Sequence, residues 1–400
     1  MADLSVTLCG LKLKNPLILS SGPLSWNAEG IQAAFAAGAA AVVTKTIRPQ
    51  ATVNPVPHIA AVGHRSLLNT EGWSDLPARQ WIERELPALA HRDGVLIASA
   101  GHTRHDVEQL AGPLAQAGVD MLEVVSYKAE DAARMVVAAK SAVSIPVLVK
   151  VSANWPSLVD VVDACLRAGA DGITAIDSVG PALRLDVRSG RPLLGSFAWL
   201  SGAAILPIAL WSVAATASRP VFGEAATASR PLSGEAATAS RPLFGEAATA
   251  SRPLFGEAAI GLRHPVPVVG TGGVARPEDI VEMVMAGASA VGVHTAPLLE
   301  GLDWFGKTLT KLERWLDDHG HSRLADLRGM ALPYLQEAVS HTPLTFAFDS
   351  ATCTQCGRCV SVCAYRARQL VPGPGMVLDR QRCRSCGLCV SVCPTGALQA

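Results

Sequence analysis

The last fifty residues hold the strongest constraint on this chain. They carry Cys353-x2-Cys356-x2-Cys359-x3-Cys363, then Cys383-x2-Cys386-x2-Cys389-x3-Cys393-Pro394. Three thiolates at this spacing wrap one corner of an iron–sulfur cubane, and the fourth cysteine of each run ligates the other cluster. The pattern predicts two [4Fe–4S] clusters. One takes Cys353, Cys356, Cys359 and Cys393; the other takes Cys383, Cys386, Cys389 and Cys363. Zinc is the competing reading, but it prefers paired CxxC units over four-cysteine runs. The first run has Ala364 where the second has Pro394, a minor departure. Eight of the ten cysteines sit here at ligand spacing. They read as thiolates in a reducing, cytoplasmic setting rather than as disulfides. Cys9 and Cys165 read as packing thiols.

The rest of the chain repeats a small phrase. Ala37-Gly38-Ala39, Ala117-Gly118-Val119-Asp120, Ala168-Gly169-Ala170-Asp171 and Ala286-Gly287-Ala288-Ser289 each close a helical stretch and open an apolar run. Glycine just past a helix end supplies the left-handed turn, and a buried parallel strand reads as a continuous apolar run. Such runs are Leu17–Ser20, Ala41–Thr44, Val95–Ser99, Met121–Val125, Val147–Val151, Gly172–Ile176, Val266–Gly270 and Ala290–Val293. Eight strands alternating with helices over about 300 residues predict a (β/α)8 TIM barrel. An open doubly wound sheet is the alternative, but its GxGxxG fingerprint after the first strand is absent.

One stretch breaks the pattern. Residues 214–257 are four tandem copies of an eleven-residue unit, AATASRP(V/L)(F/S)GE. Removing them joins Val213 to Ala258 and restores one helix, PIALWSVAAIGLRHP. Arg-Pro and Gly in every unit interrupt helix. The block therefore reads as a mobile surface insertion without a catalytic role. After the barrel, Asp303–His319 reads as an amphipathic helix stopped by Gly320, and Arg323–Phe348 as a connector. The expected domains are a barrel over 1–300, a helical connector over 301–348 and a small α+β ferredoxin-like domain over 349–400.

Barrel enzymes place their chemistry at the C-terminal ends of the strands. Read in order, those ends give Ser20-Ser21-Gly22, Lys45-Thr46, Ala98-Ser99, Glu123 with Ser126, Lys150, Asp177-Ser178, Gly270-Thr271-Gly272-Gly273 and His294-Thr295. The last two come from strands 7 and 8, where such barrels commonly bind phosphate. Gly272 and Gly273 would let backbone N–H groups close on phosphate oxygens. Two lysines at strand ends suit the polar edge of a flavin. A formal net charge of zero gives no electrostatic reason to expect nucleic acid or a membrane as partner. No leader peptide and no bilayer-spanning apolar run is apparent.

With these residues in hand, the chain resembles dihydroorotate dehydrogenases, and more closely the FMN and iron–sulfur portion of dihydropyrimidine dehydrogenase. The likeness rests on LKNPLILSSG, VVTKTI, LLNTEG, VLVKVSAN, GADGITAIDSV, LSGAAILPIAL, VVGTGGV and GASAVGVHTA, then the ferredoxin pair. It implies that Ser21, Lys45, Lys150, Ser201, Gly202, Gly272, Gly273 and Thr295 contact FMN, with Gly22, Thr46 and His294 beside them. It implies that Asn69, in LLNTEG, hydrogen-bonds a pyrimidine ring; the Asn-x-Glu form with Glu71 is that of the dihydropyrimidine enzymes.

The departures are local. The family carries Asn-x-Ser-Cys-Pro or Asn-x-Ser-Ser-Pro after strand 4, whose Cys or Ser is the acid/base. Here Glu123 is expected at the ring-binding Asn and Ser126 at the acid/base. Asp177, with Ser178 beside it, stands for a second ring-binding Asn, and the long loop after strand 4 is missing. A carboxylate accepts hydrogen bonds where an amide both donates and accepts. The expected substrate is therefore a pyrimidine-like ring that is not plain uracil or orotate.

The resemblance implies hydride exchange between that ring and FMN, with Ser126, helped by Tyr127 or Lys128, moving the proton. Electrons then pass between FMN and the clusters. No second nucleotide fold is present, so a separate ferredoxin or a flavin–NAD(P) subunit is the expected partner; assembly with copies of itself stays open. The rival reading is an electron-transfer subunit whose barrel has no pyrimidine chemistry.

Overall fold

The computed structural model describes residues 1–63, 65–219, 265–336, 342–373 and 375–400. Eight parallel strands close into a barrel: β1 (Leu17–Leu19), β2 (Ala41–Val43), β3 (Val95–Gly101), β4 (Met121–Val125), β5 (Val147–Val151), β6 (Gly172–Ala175), β7 (Val268–Thr271) and β8 (Ala290–Val293). Each pairs with its neighbour in sequence, and β8 returns to β1 through Val291 opposite Leu17. These strands are Val-, Ile-, Leu- and Ala-rich because both of their faces are covered. All eight expected runs therefore appear, shifted at their ends by one or two residues.

Helices wrap the outside: α1 (Ala28–Ala36), α2 (Arg104–Gln116), α3 (Ala129–Ala142), α4 (Leu158–Arg167), α5 (Leu206–Ala217), α6 (Pro277–Met285), α7 (Thr295–Glu300) and α8 (Trp304–Asp318). Side chains start several of them. Asn27 accepts the Gly30 N–H at 2.9 Å, and Thr103 with Asp106 forms a capping box. The Ala-Gly phrase ends them: Gly287, at φ 111°, also lets α6 close onto Ala217 of α5, where a Cβ would clash.

That contact corrects the expected insertion boundary. Ala214, Ala215, Thr216 and Ala217, the first residues of the first repeat, are buried in α5. The Ser218 hydroxyl donates to the Ala214 carbonyl at 2.8 Å. The remaining repeats and the helix continuation through 258–261 lie outside the described residues. The connector boundary also moves. Trp304, Phe305, Leu312, Leu316, Leu324 and Leu327 are buried in the barrel's own core, and this compact unit extends to Gln336. An amphipathic helix buries its apolar stripe where it finds one, here on α6.

Over the C-terminal mouth lies an antiparallel four-stranded sheet: Val179–Ala182, Ala198–Gly202, Ser66–Asn69 and Ile59–Ala61. Its short strands come from the loops after β2 and β6, and it brings Asn69 directly opposite Trp199.

The second unit, Glu337–Ala400, is described by itself. It has a hairpin, Arg368–Val371 with Gly375–Leu378, and a terminal pair, Ala347–Phe348 with Leu398–Gln399. Two one-turn helices, Arg358–Ser361 and Leu388–Ser391, carry the third cysteine of each run, Cys359 and Cys389. Among the described residues its hydrophobic cluster is built on Met376, Cys389 and Leu398, with Phe346 and Phe348 half-buried beside them.

Candidate active site

One cleft of about 1130 Å³ opens at the barrel mouth. Every expected cofactor- and substrate-site residue lines it except Glu123, and of the expected proton-handling pair Tyr127 lines it and Ser126 does not.

The floor is cationic but paired. Lys45 Nζ at the end of β2 is 2.8 Å from Glu71 Oε1 and 2.7 Å from Asp75 Oδ1. Burial would raise the Asp75 carboxyl, but the Lys45 ammonium outweighs it and holds it below the ordinary range. Lys150 Nζ at the end of β5 lies 3.3 Å from Asp177 Oδ1. Burial alone would depress Lys150; the Asp177 and Glu123 carboxylates outweigh it and hold its ammonium above the ordinary value. Lys150 is thus a fixed positive charge.

The end by β7 and β8 is lined by hydroxyls and bare backbone. Thr295 Oγ1 donates to Ser201 Oγ at 3.0 Å, and Ser20 meets Thr271 at 3.2 Å. Gly272 and Gly273 have φ of 114° and 89°, and a Cβ on Gly273 would lie 2.5 Å from Leu206 backbone atoms. Only glycine fits there. His294 packs its ring on Gly22, where a Cβ would come within 2.6 Å. Its Nδ1 lies 2.8 Å from the Ser20 carbonyl, which fixes Nδ1 as donor and leaves Nε2 an acceptor with no protein partner among the described residues. Burial pushes His294 down to about 4, so it is neutral at ordinary pH.

Aromatic side chains roof the cleft. Trp73 and Tyr127 rings are 4.7 Å apart, and Tyr127 stacks on Trp199 at 5.9 Å and 15°. Burial, reinforced by the carboxylates of Asp177 and Glu71, holds the Tyr127 phenol well above its ordinary value. Trp73, Trp199 and Asp75 were not marked by the sequence. They stand in loops and in the roof sheet, where no periodicity flags them.

Two expectations about β4 need correction. Successive side chains of a strand point to opposite sides. Glu123 is buried inside the barrel below the cleft, and Thr174 Oγ1 donates to its Oε2 at 2.8 Å. Burial holds this carboxyl above its ordinary value, against Lys150 and Thr174, which lower it. Val125, two residues on, lines the cleft. Ser126 therefore points away; it is 4% exposed, and its Oγ accepts the Lys128 N–H at 3.1 Å. The residue of β4 that lines the cleft is an aliphatic one, Val125.

In the second unit, Cys353, Cys356, Cys359 and Cys393 line one cavity, and Cys363, Cys383, Cys386 and Cys389 line another of similar size. These are the two sets expected from the spacing. Among the described residues no group of three potential ligands converges on a single point. Four thiols ringing a cavity suit a cluster, whose irons sit at separate corners, better than one ion. Cys165 is fully buried, and Cys9 Sγ donates to the Asp171 carbonyl at 3.4 Å; burial pushes both thiols up to about 12.

Comparison with known proteins fits this geometry. The family model for dihydroorotate dehydrogenase matches residues 3–220 and 258–316, passing over most of the repeat block. The chain belongs to the dihydroorotate dehydrogenase family. Residues 344–397 match the 4Fe-4S dicluster domain. Among curated relatives, the catalytic subunit of dihydroorotate dehydrogenase B (NAD(+)) from Methanothermobacter thermautotrophicus is 26% identical, over 82% of this chain and 98% of its own length. Those from Bacillus pumilus and Pyrococcus abyssi are 29% and 28% identical, over 84% and 82% of this chain and 99% of each relative. The chain is a flavin-dependent dehydrogenase of this family with an iron–sulfur domain attached. FMN and iron–sulfur are the groups the family and domain imply, and the residues present fit both: a glycine- and hydroxyl-lined end, a lysine floor, and two rings of four thiols. Among the described residues no helix is long and apolar enough to cross a membrane.

Proposed function

We propose that this chain oxidises or reduces a CH–CH bond of a dihydropyrimidine-like ring in the cleft, and exchanges the electrons through two [4Fe–4S] clusters with a separate redox protein, a ferredoxin or a flavin–NAD(P) subunit. The observation that carries this reading is the cleft itself. A single opening combines the paired lysines, the β7–β8 glycines, Asn69 and an aromatic roof.

In this reading Gly272, Gly273, Ser201, Gly202 and Thr295 hold the FMN phosphate, and Ser21, Gly22, Thr46, Lys45, Lys150 and His294 surround the flavin ring. FMN bound there supplies hydride exchange with a ring carbon and single-electron exchange with iron–sulfur. Lys150, held cationic, favours negative charge on the flavin's polar edge. Trp73, Tyr127 and Trp199 form an aromatic cover over the ring. Asn69, Glu71, Asp177 and Ser178 reach the polar edge of the substrate. Asn69 can both donate and accept, while Asp177 only accepts. Val125 offers neither. Both lysines are already matched by carboxylates, and among the described residues no arginine lines the cleft. The substrate class favoured is therefore an uncharged ring with N–H donors rather than a ring bearing a carboxylate.

The proton role moves from Ser126 to Tyr127. A phenol whose pKa is raised stays protonated, so it serves as a donor, which suits ring reduction better than ring oxidation.

A second reading, an electron-transfer flavoprotein without pyrimidine chemistry, has one specific observation in its favour: β4 presents only Val125 to the cleft, with Glu123 buried below it and Ser126 outside its lining. Anaerobic absorbance of cluster-loaded protein, titrated with dihydrouracil and dihydroorotate, separates the two. Flavin bleaching by dihydrouracil but not by dihydroorotate is expected. Reduction by dithionite with no response to either ring would leave the second reading standing.

A further inference from the structure

The iron–sulfur unit carries an unusual surface. Among its described residues the acidic side chains are Asp349 and Asp379 only, against six arginines and no lysine. Arg368 is buried, over the Phe346 ring at 4.7 Å and donating to Met376 Sδ at 3.1 Å. The other five, Arg358, Arg366, Arg380, Arg382 and Arg384, are exposed.

Four of these five are gathered by the hairpin. Arg368 pairs with Leu378, and the Asp379 N–H donates to the Ala367 carbonyl at 2.7 Å, so Arg366 and Arg380 flank the same end of the hairpin. Arg382 and Arg384 follow two and four residues on. Little inside the unit offsets them. The Asp349 carboxylate accepts the Ala351 N–H and the Thr352 hydroxyl, and Asp379 accepts the Gln381 and Arg382 N–H groups. Asp379 also lies 3.4 Å from Arg382, while Arg366 and Arg380 have no ion pair among the described residues. This ridge borders the second thiol cavity: Ala367 N–H donates to Cys363 Sγ at 3.2 Å, and Arg384 lines the cavity with Cys383 and Cys386.

We propose that the arginine ridge Arg366–Arg380–Arg382–Arg384 is the docking face for an acidic electron-carrier protein, which makes the cluster of Cys363, Cys383, Cys386 and Cys389 the port where electrons enter or leave. This rests on the cluster reading above. Exposed arginines in excess of carboxylates steer an acidic surface by long-range attraction and set its orientation on contact. Because the ridge flanks one cavity, a carrier held there lies against that cluster. A nucleic acid would be attracted by the same charge but would draw no advantage from the cluster beside it.

The test uses the full-length, cofactor-loaded protein and an acidic [2Fe–2S] ferredoxin as probe, with cytochrome c as a basic control. Stopped-flow electron transfer to the ferredoxin should slow roughly tenfold between 50 and 300 mM salt. The double variant R380E/R382E should lose roughly tenfold at low salt and flatten that dependence. Arg384 is left intact because its guanidinium holds the Gln381 and Cys383 carbonyls. Calorimetric binding of the ferredoxin, which needs no turnover, should weaken in parallel, and cluster absorbance should be the same in both proteins. Equal rates and affinities in wild type and variant, faster exchange with cytochrome c, or tighter binding of a DNA duplex than of the ferredoxin would each overturn the docking face. Iron content, measured first, separates this from the reading beneath it: protein that takes up no iron refutes both, whereas iron-loaded protein indifferent to the charge reversal refutes only the docking face.

Discussion

The barrel and the iron–sulfur unit solve the same folding problem by opposite means. The barrel buries eight strands of aliphatic side chains, with Leu17, Ile18, Leu19, Leu96, Ile97 and Leu148 at 0% exposure, and needs no cofactor to fill its centre. The second unit spans 64 residues, and among those described its hydrophobic cluster is centred on three side chains, Met376, Leu398 and the ligand Cys389, with Ala367, Arg368 and Ala397 the other buried ones. A unit of that size rarely gains more than about 3–5 kcal/mol from its core, so it needs a staple. In the barrel the cofactor site sits on top of a finished fold. In the tail the cofactor site takes the place of a core.

That contrast can be broken at several points. Stripping iron with a chelator, or changing Cys386 to Ser, should abolish order in the tail, seen as rapid proteolysis beyond Gln336, while barrel circular dichroism and flavin binding persist. A tail that stays protease-resistant without iron would end the comparison. On the barrel side, Tyr127→Phe should lower turnover about 100-fold while leaving flavin content unchanged. Ser126→Ala should stay within about threefold, since a group remote from the reacting atoms contributes no proton transfer. Lys150→Met removes the partner of Asp177 and should cost about 3 kcal/mol in urea unfolding, together with weaker FMN binding.

A further effect concerns pH. His294 is held near 4 in the folded barrel, below its ordinary value of about 6.5. The unfolded chain therefore binds the proton first, and stability present above about pH 6.5 is lost as pH falls toward 4, at roughly 1.4 kcal/mol per unit. His294→Gln should flatten that slope in thermal melts between pH 7 and 5. An unchanged slope would mean that other groups govern it.

Most of the barrel was legible because its signal is local. Val147–Val151 is an apolar run before a helix, and Ala-Gly closes the helix before each of several strands. The cysteine spacing likewise names its ligand sets without reference to anything distant. What was not legible depends on tertiary placement. Trp73 and Trp199 meet Tyr127 only because the loops after β2 and β6 pair into one sheet. Asp75 reaches Lys45 across thirty residues. Glu123 and Ser126 depend on depth and side as well: Glu123 shares its side of β4 with Val125 but lies below the cleft, and Ser126, one residue on, falls on the other side. The repeat block shows a further limit. Its first four residues read as part of the insertion, yet they are core helix, with Ala217 packed against Gly287.

The central claim is that one chain carries a flavin at a barrel mouth and two cubanes in its tail. Its most direct test is the content of iron, acid-labile sulfide and FMN in anaerobically prepared protein. The account predicts about eight iron and eight sulfide for each FMN. About four iron per FMN, or zinc in place of iron, would contradict it.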